Sequence, residues 1–313
     1  MLRSIVFACL LAGGVVAAAE PFPLRDGDVV AFVGNTFTER EQRDGFIELA
    51  LTLASPDADV TFRNLGWSGD TVTGRARRYF GTTDEGFQHL LTHLDLVKPT
   101  VIVVCYGTNE AFAGEAGRAV FLDGYAALLE ELAKRTDRIV LVSAPPLDPS
   151  ASPAPKIAER VNHELQYQSD AVRDLAAKRG FAFADLFGQF KPLLDADLPQ
   201  PLTDNGLHYT PYGYRAAGQL LLRDLERSSP REAGIDVADL SKPLDPPYEL
   251  LRQAIVAKNE LFFHRHRPQN ETYLRGFRKH EQGNNATEIF AFEPLVAEKD
   301  REIFELREAL PER

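Results

Sequence analysis

The sequence predicts an α/β protein. A three-layer α/β/α domain with a central five-stranded parallel sheet is followed by a helical C-terminal extension. Two observations carry this. Short apolar runs alternate with segments whose apolar residues recur at helical spacing, a pattern that gives a parallel sheet covered by helices. The runs Val29 to Val33 and Val101 to Tyr106 are unbroken, as expected of strands buried on both faces. The 313 residues suffice for one such domain and an extension. A hydrophobic fraction of 44% permits a full core, and the net charge of -11 argues against nucleic acid or an anionic membrane held by general electrostatics.

Taken in order, residues 1–19 read as a secretory signal. Arg3 is the positive start, Ser4 to Val16 is apolar, and Ala17-Ala18-Ala19 is a small-residue cleavage site. The apolar run is short for a membrane span. The expected address is therefore periplasmic or extracellular, with an uncleaved anchor as the alternative. Of the two cysteines, Cys9 falls in this segment, so the mature chain keeps Cys105 alone and forms no intrachain disulfide. Cys105 sits in an apolar strand and reads as a buried, inert thiol.

The domain is expected over 20–227. Its first strand runs from about Asp28 to Val33, and one helix follows from about Glu39 to Ala54, beginning near Thr38 or Glu39. Pro56-Asp57 ends that helix. Val60 to Leu65 is the second strand and Val101 to Tyr106 the third, with a helix marked by Phe87, Leu90, Leu91 and Leu94 between them. Tyr125 to Leu132 is helical, Ile139 to Val142 is the fourth strand, and Ala144 to Pro155 is a proline-rich loop. Ile157 to Lys178 is a long helix, Phe181 to Leu186 the fifth strand, and Tyr212 to Leu225 the closing helix. A linker over 228–247 leads to the extension, 248–313, with helices expected over Tyr248 to Phe263 and Glu293 to Leu310.

Four stretches carry chemistry. Gly34-Asn35-Thr36 closes the first strand and puts a hydroxyl at its carboxyl end, where open α/β sheets bind ligands. A helix cap is the plainer reading of Thr36. Asn64-Leu65-Gly66-Trp67-Ser68-Gly69-Asp70-Thr71 follows the second strand, and its glycines allow backbone N–H groups to turn toward a bound group. Gly107-Thr108-Asn109-Glu110 follows the third strand, where the Asn109 amide can donate to a developing oxyanion. Asp204-Asn205-Gly206-Leu207-His208 precedes the last helix, where a histidine can reach the sheet edge as a general base. Each stretch alone is weak. Four in this order, each beside an element end, point to one site.

On these residues the sequence resembles the SGNH (GDSL-type) hydrolases over about residues 28–227, a family of α/β esterases with a flavodoxin-like sheet. Gly34-Asn35-Thr36 stands at the Gly-Asp-Ser block, Gly69 at the second block's glycine, Gly107-Thr108-Asn109 at the Gly-x-Asn block, and Asn205-Gly206-Leu207-His208 at the Asp-x-x-His block. The resemblance implies that Thr36 is the nucleophile and His208 the base. It also implies that Thr36, Gly69 and Asn109 form the oxyanion hole, with no metal or organic cofactor. Three departures stand out. Thr36 replaces serine, and its methyl stiffens χ1. Asn35 replaces an aspartate. Asn205 takes the place of the triad aspartate, with Asp204 one residue early. Neighbouring side chains normally diverge, so only a bulged loop brings Asp204 to His208. The expected substrate is a small-molecule or carbohydrate ester such as an O-acetyl group. The other reading is a catalytically impaired module that binds glycan or a protein.

Asn35 and Trp67 are candidates for substrate contact, with packing under the loop the plainer role for Trp67. Arg75, Arg77 and Arg78 could meet an anionic substrate, though a solvated helix face is the plainer reading. His89 and His93 have the spacing to share a metal, but nothing acidic completes a site and helix packing is expected. In the extension, His264, His266, His280, Arg265, Arg267, Arg275, Arg278 and Lys279 lie among Phe262, Phe263, Tyr273 and Phe277, a possible partner surface. Leu250, Leu251, Ile255 and Leu261 are expected to anchor the extension while its charges face water.

Overall fold

Five strands and the segments that follow the first three of them set the positions of Thr36, Gly69 and Asn109. The computed structural model describes residues 22–225, 237–268, 271–274, 277–278, 280 and 283–311. The expected leader, residues 226–236 of the domain end and linker, Arg275 and Lys279 lie outside the described residues.

The strands are β1 (Val29–Gly34), β2 (Thr61–Asn64), β3 (Val101–Cys105), β4 (Ile139–Val142) and β5 (Ala182–Ala184). They form one five-stranded sheet in the order β2-β1-β3-β4-β5, parallel throughout. The order reverses between β1 and β3, and such a reversal opens a crevice beyond the carboxyl ends of those two strands. Gly34 lies opposite Cys105 at that point. A Cβ on Gly34 would stand 2.4 Å from the Cys105 carbonyl oxygen, so only glycine lets the strands close there.

The helices are α1 (Thr36–Asp44), α2 (Phe46–Ala54), α3 (Thr83–Val97), α4 (Thr108–Ala111), α5 (Arg118–Ala133), α6 (Pro155–Arg179), α7 (Leu186–Leu194) and α8 (Pro211–Leu225). The extension adds α9 (Pro246–His266), α10 (Glu271–Leu274) and α11 (Phe292–Glu308). Side chains alternate across the sheet with the period of two that strands impose. Val30, Phe32, Val101 and Val103 meet residues of α2, α7 and α8. Ala31, Val33, Ile102 and Val104 meet α3, α5 and α6 on the other face. The three layers predicted from the sequence are therefore present.

Several element boundaries differ from expectation. The single helix over Glu39 to Ala54 is two helices, starting earlier at Thr36 and broken at Gly45, whose φ of 68° ends α1. The Glu41 carboxylate then accepts the Ile47 and Glu48 N–H groups and caps the new start. The fifth strand stops at Ala184, because Asp185 accepts the Gly188 N–H and opens α7. The third strand stops one residue short of Tyr106.

The extension is packed into the domain. Leu251, Ala254, Ile255 and Ile303 share a core with Leu49 of α2. Leu250, expected among the anchors, is exposed, and Leu261 is partly buried. Its charges do not all face water, contrary to expectation. Lys258, Arg265 and His266 are buried. The Lys258 Nζ lies 2.8 Å from Glu48 and donates to the Phe62 carbonyl at 3.0 Å, closing part of the edge strand β2. Arg63 of β2 pairs with Asp300 of α11.

Candidate active site

At the crevice, α1 begins directly after β1. The cap is Asn35, whose side-chain oxygen accepts the Phe37 N–H at 3.2 Å. Thr36 is thus the first helical residue, and its hydroxyl is not used for capping. It instead accepts the Gly69 N–H at 2.9 Å. Gly69 has φ of +74°, a left-handed conformation that aims this N–H and disfavours a side chain. The Thr36 N–H is one of the first-turn amides that a helix leaves without an internal acceptor.

The loop carrying Gly69 is fastened from below. Asn64 donates to the Thr38 carbonyl at 2.7 Å and accepts the Gly66 N–H at 2.8 Å. Glu39 accepts the Ser68 N–H at 2.5 Å. Fully buried Asp70 takes Arg77 Nε at 2.6 Å and the Tyr106 hydroxyl at 2.9 Å. Burial, with the Asp70 charge beside it, pushes the Tyr106 phenol well above its ordinary value, so it stays a donor. Asn109, on α4, donates one amide N–H to the Asp70 carbonyl at 2.6 Å. An amide has two such hydrogens, so one is left for the cleft. Its neighbour Glu110 accepts the Val72 N–H at 2.8 Å, and burial pushes that carboxyl up to about 7.

Residues 203–209 fold back on themselves. Thr203 bridges Tyr209 in antiparallel fashion, the Asp204 N–H donates to the His208 carbonyl, and Gly206 turns the chain. Asp204 and His208 therefore face each other across the turn, which brings the Asp204 carboxylate to 4.0 Å from His208 Nδ1. Asn205 is closer. Its oxygen accepts the Leu207 and His208 N–H groups at 3.1 and 2.9 Å, which leaves its Nδ2 3.2 Å from His208 Nδ1. An amide nitrogen only donates, so Nδ1 accepts and the neutral ring carries its proton on Nε2. Burial and then the Arg40 charge, with Arg43 adding to it and Asp204 opposing, hold the imidazole below its ordinary pKa.

Thr36, Asn109 and His208 line one cleft, together with Asn35, Arg40, Leu147 and Leu207 among others. The predicted nucleophile, oxyanion donors and histidine are thus brought together. Thr36 and His208 share the cleft without a hydrogen bond between them among the described residues. Asn35 is in the wall, 1% exposed. Trp67 is a correction to the substrate-contact expectation. It is buried, with the Arg267 guanidinium 3.8 Å above its ring and His93 stacked against it, and it packs under the loop. Arg77, expected on a solvated face, is fully buried on Asp70. His89 Nδ1 bonds the Arg77 carbonyl, so both histidines of that helix serve packing. Burial pushes the Cys105 thiol up to about 12, which leaves it unreactive.

Sequence reasoning missed Arg40, the Asp70–Arg77 pair, and the contacts of Arg267 with Glu39 and Trp67. Arg40 alone left a signal, since it falls one helical turn after Thr36 on the same face.

A hydroxyl at a helix start, an aimed N–H donor and a histidine lie beyond the switch point of a 2-1-3-4-5 sheet, the flavodoxin-like strand order. The model of the GDSL-like lipase/acylhydrolase family matches residues 32–216, and the chain belongs to that family. A search of curated proteins returned no match. Among solved structures, the chain is similar to a gut microbial diltiazem-metabolizing enzyme (TM-score 0.60, 14% identity), covering 91% of this chain and 96% of that one. It is also similar to a catalytic mutant of an acetylxylan esterase from Geobacillus stearothermophilus (TM-score 0.50, 15% identity), covering 64% and 95%. These are likenesses of fold. The 91% coverage in the first case reaches into the extension.

Proposed function

We propose that this protein is an exported esterase, periplasmic or extracellular, that hydrolyses a small acyl ester such as an O-acetyl group on a carbohydrate. The observation that carries this reading is the bond from the Gly69 N–H to the Thr36 hydroxyl in a cleft that also holds Asn109 and His208. Thr36 Oγ attacks the ester carbonyl carbon and His208 Nε2 takes its proton. The tetrahedral oxyanion rests on the Thr36 and Gly69 N–H groups and the free Asn109 N–H, at the positive end of α1. The C–O bond to the alcohol breaks as His208 returns the proton to it. Water, deprotonated by the same ring, then releases the acyl group as a carboxylic acid and restores Thr36. The acetyl and carbohydrate parts of this reading draw on the acetylxylan esterase whose fold the chain shares.

For Nε2 to accept a proton, Nδ1 must carry the ring hydrogen. The Asp204 carboxylate is the group within reach to receive it, and its closing from 4.0 Å on Nδ1 is part of the proposal. The Asn205 bond to Nδ1 favours the second reading, an impaired module that binds glycan or protein. Protein contact through the extension is proposed on the exposed, mutually packed rings of Phe80 and Phe277.

The test is hydrolysis of short p-nitrophenyl esters by the full mature chain. Turnover that falls by at least about 10³-fold in both Thr36→Ala and His208→Ala supports the mechanism. Turnover that survives both changes sinks it, and a parent that is folded but inactive selects the second reading.

A further inference from the structure

We propose that the cleft contains a carboxylate-binding subsite built from Arg40 and Asn35, so that the preferred ester carries an anionic carboxylate near its scissile bond. This deepens the esterase reading above and rests on it for the word ester, though not for the subsite.

Arg40 follows Thr36 by four residues on α1, which places both on one helix face one turn apart. Both line the same cleft, as does Asn35. Arg40 Nε and Asn35 Nδ2 are buried and have no hydrogen-bond partner, and the rest of Asn35 is 1% exposed. Both orphan atoms are obligate donors. Buried donors are costly to leave unmade, and both belong to residues that line this cleft, which makes their surroundings a place for an acceptor. The charge balance says which acceptor. The nearest carboxylate to Arg40 is Asp204 at 3.8 Å, beyond hydrogen-bond reach and half exposed, so it is a weak partner that a ligand can displace. Arg43 adds a second positive charge felt at His208. A carboxylate matches the planar fork of a guanidinium with two parallel bonds, and can accept from an amide N–H as well. Phe37, Leu147 and Leu207 supply the apolar remainder of the wall, suited to the body that joins the carboxylate to the ester.

Occupation of this subsite also bears on Asp204. A substrate carboxylate that takes over the Arg40 guanidinium removes the charge that now holds Asp204 on that side. It leaves Asp204 free to close on His208 Nδ1.

The experiment uses 4-acetoxybenzoate and its methyl ester, which share the acetyl ester and differ by the carboxylate charge. Hydrolysis is followed in the full chain and in Arg40→Gln and Arg40→Lys. The expected result is a kcat/KM ratio favouring the carboxylate by about tenfold or more, as a charge-assisted bond supplies. That ratio falls to about one in Arg40→Gln and is partly kept in Arg40→Lys. Benzoate binding, measured by calorimetry on the same proteins with a circular dichroism check of folding, reads the subsite without turnover. Benzoate held by the parent and lost in folded Arg40→Gln supports the subsite even where neither ester is hydrolysed, an outcome that counts against the esterase reading alone. Hydrolysis with a ratio near one, a ratio undiminished in Arg40→Gln, or benzoate bound equally by both proteins or by neither overturns it.

Discussion

A single amide controls the state of the candidate base. Asn205 spends its oxygen on two backbone N–H groups, and that fixes its nitrogen toward His208 Nδ1. Asn205→Asp keeps those two bonds and replaces the donor with a second carboxylate oxygen, so Nδ1 regains its hydrogen and Nε2 becomes the acceptor. The reverse change in a serine protease costs about 10⁴ in rate, and a gain on the order of 10²-fold in kcat is expected here. The pH profile gives an independent reading. The His208 pKa is held below its ordinary value, so the acid limb of kcat/KM lies below the usual histidine position of about 6.5. An introduced carboxylate favours imidazolium, so the limb moves to higher pH in Asn205→Asp. A rate and limb both unchanged by the substitution would mean that Asp204 already supports the ring or that His208 is not the base. At this scale the sequence was informative about type and silent about orientation. Thr36 and Asn109 were legible because they sit in the first turn of a helix just after a strand, and Gly69 and His208 because they lie in the loops after β2 and before α8. The proximity of Asp204 was not, because it depends on a cross-turn pairing between Thr203 and Tyr209 that no local spacing announces.

Among the elements, the loop bearing Gly69 matters most, and it is clamped by α9. The Arg267 guanidinium, just past the end of that helix, lies over Trp67 and 3.3 Å from Glu39, whose other oxygen holds the Ser68 N–H. A chain of contacts therefore runs from the extension to the backbone beside the oxyanion donor. Arg267→Ala is expected to lower kcat on the order of tenfold, through misplacement of Gly69, with KM little changed. Arg267→Lys keeps the charge near Glu39 but lacks the flat face for Trp67, so it recovers part of the loss. Steady-state kinetics on a short ester decide this, and a loss confined to KM would place Arg267 in substrate binding instead. Strands and long helices were legible from periodicity alone. The break at Gly45 was not, because the apolar positions of α1 and α2 join into one plausible helical stripe, and only the Glu41 cap and the packing of α9 beside Gly45 make the break stable.

Across the whole molecule, one buried ion pair ties the extension to the sheet domain. Lys258 has no solvent exposure, and its Nζ meets Glu48 on α2 and the Phe62 carbonyl on β2. Burial raises the Glu48 pKa, and the Lys258 charge is the main influence opposing that rise. A periodicity reading of the sequence treats Lys258 as a solvated helix position, because nothing local to α9 shows that a glutamate two hundred residues earlier will face it. Removing one member of such a pair leaves the other charge unpaired in the interior, at a cost of about 3–5 kcal/mol, whereas replacing both with apolar residues is often neutral. Lys258→Met should therefore lower the urea midpoint of the whole chain, and adding Glu48→Leu should recover most of the loss. Urea unfolding followed by both far-ultraviolet circular dichroism and Trp67 fluorescence tests this. Coincident transitions in all three proteins fit an extension that is part of the core. A separate early transition in Lys258→Met, with the Trp67 signal unmoved, would instead show α9 peeling from a domain that stands without it. The Arg267 contact to the Gly69 loop would then contribute nothing to stability.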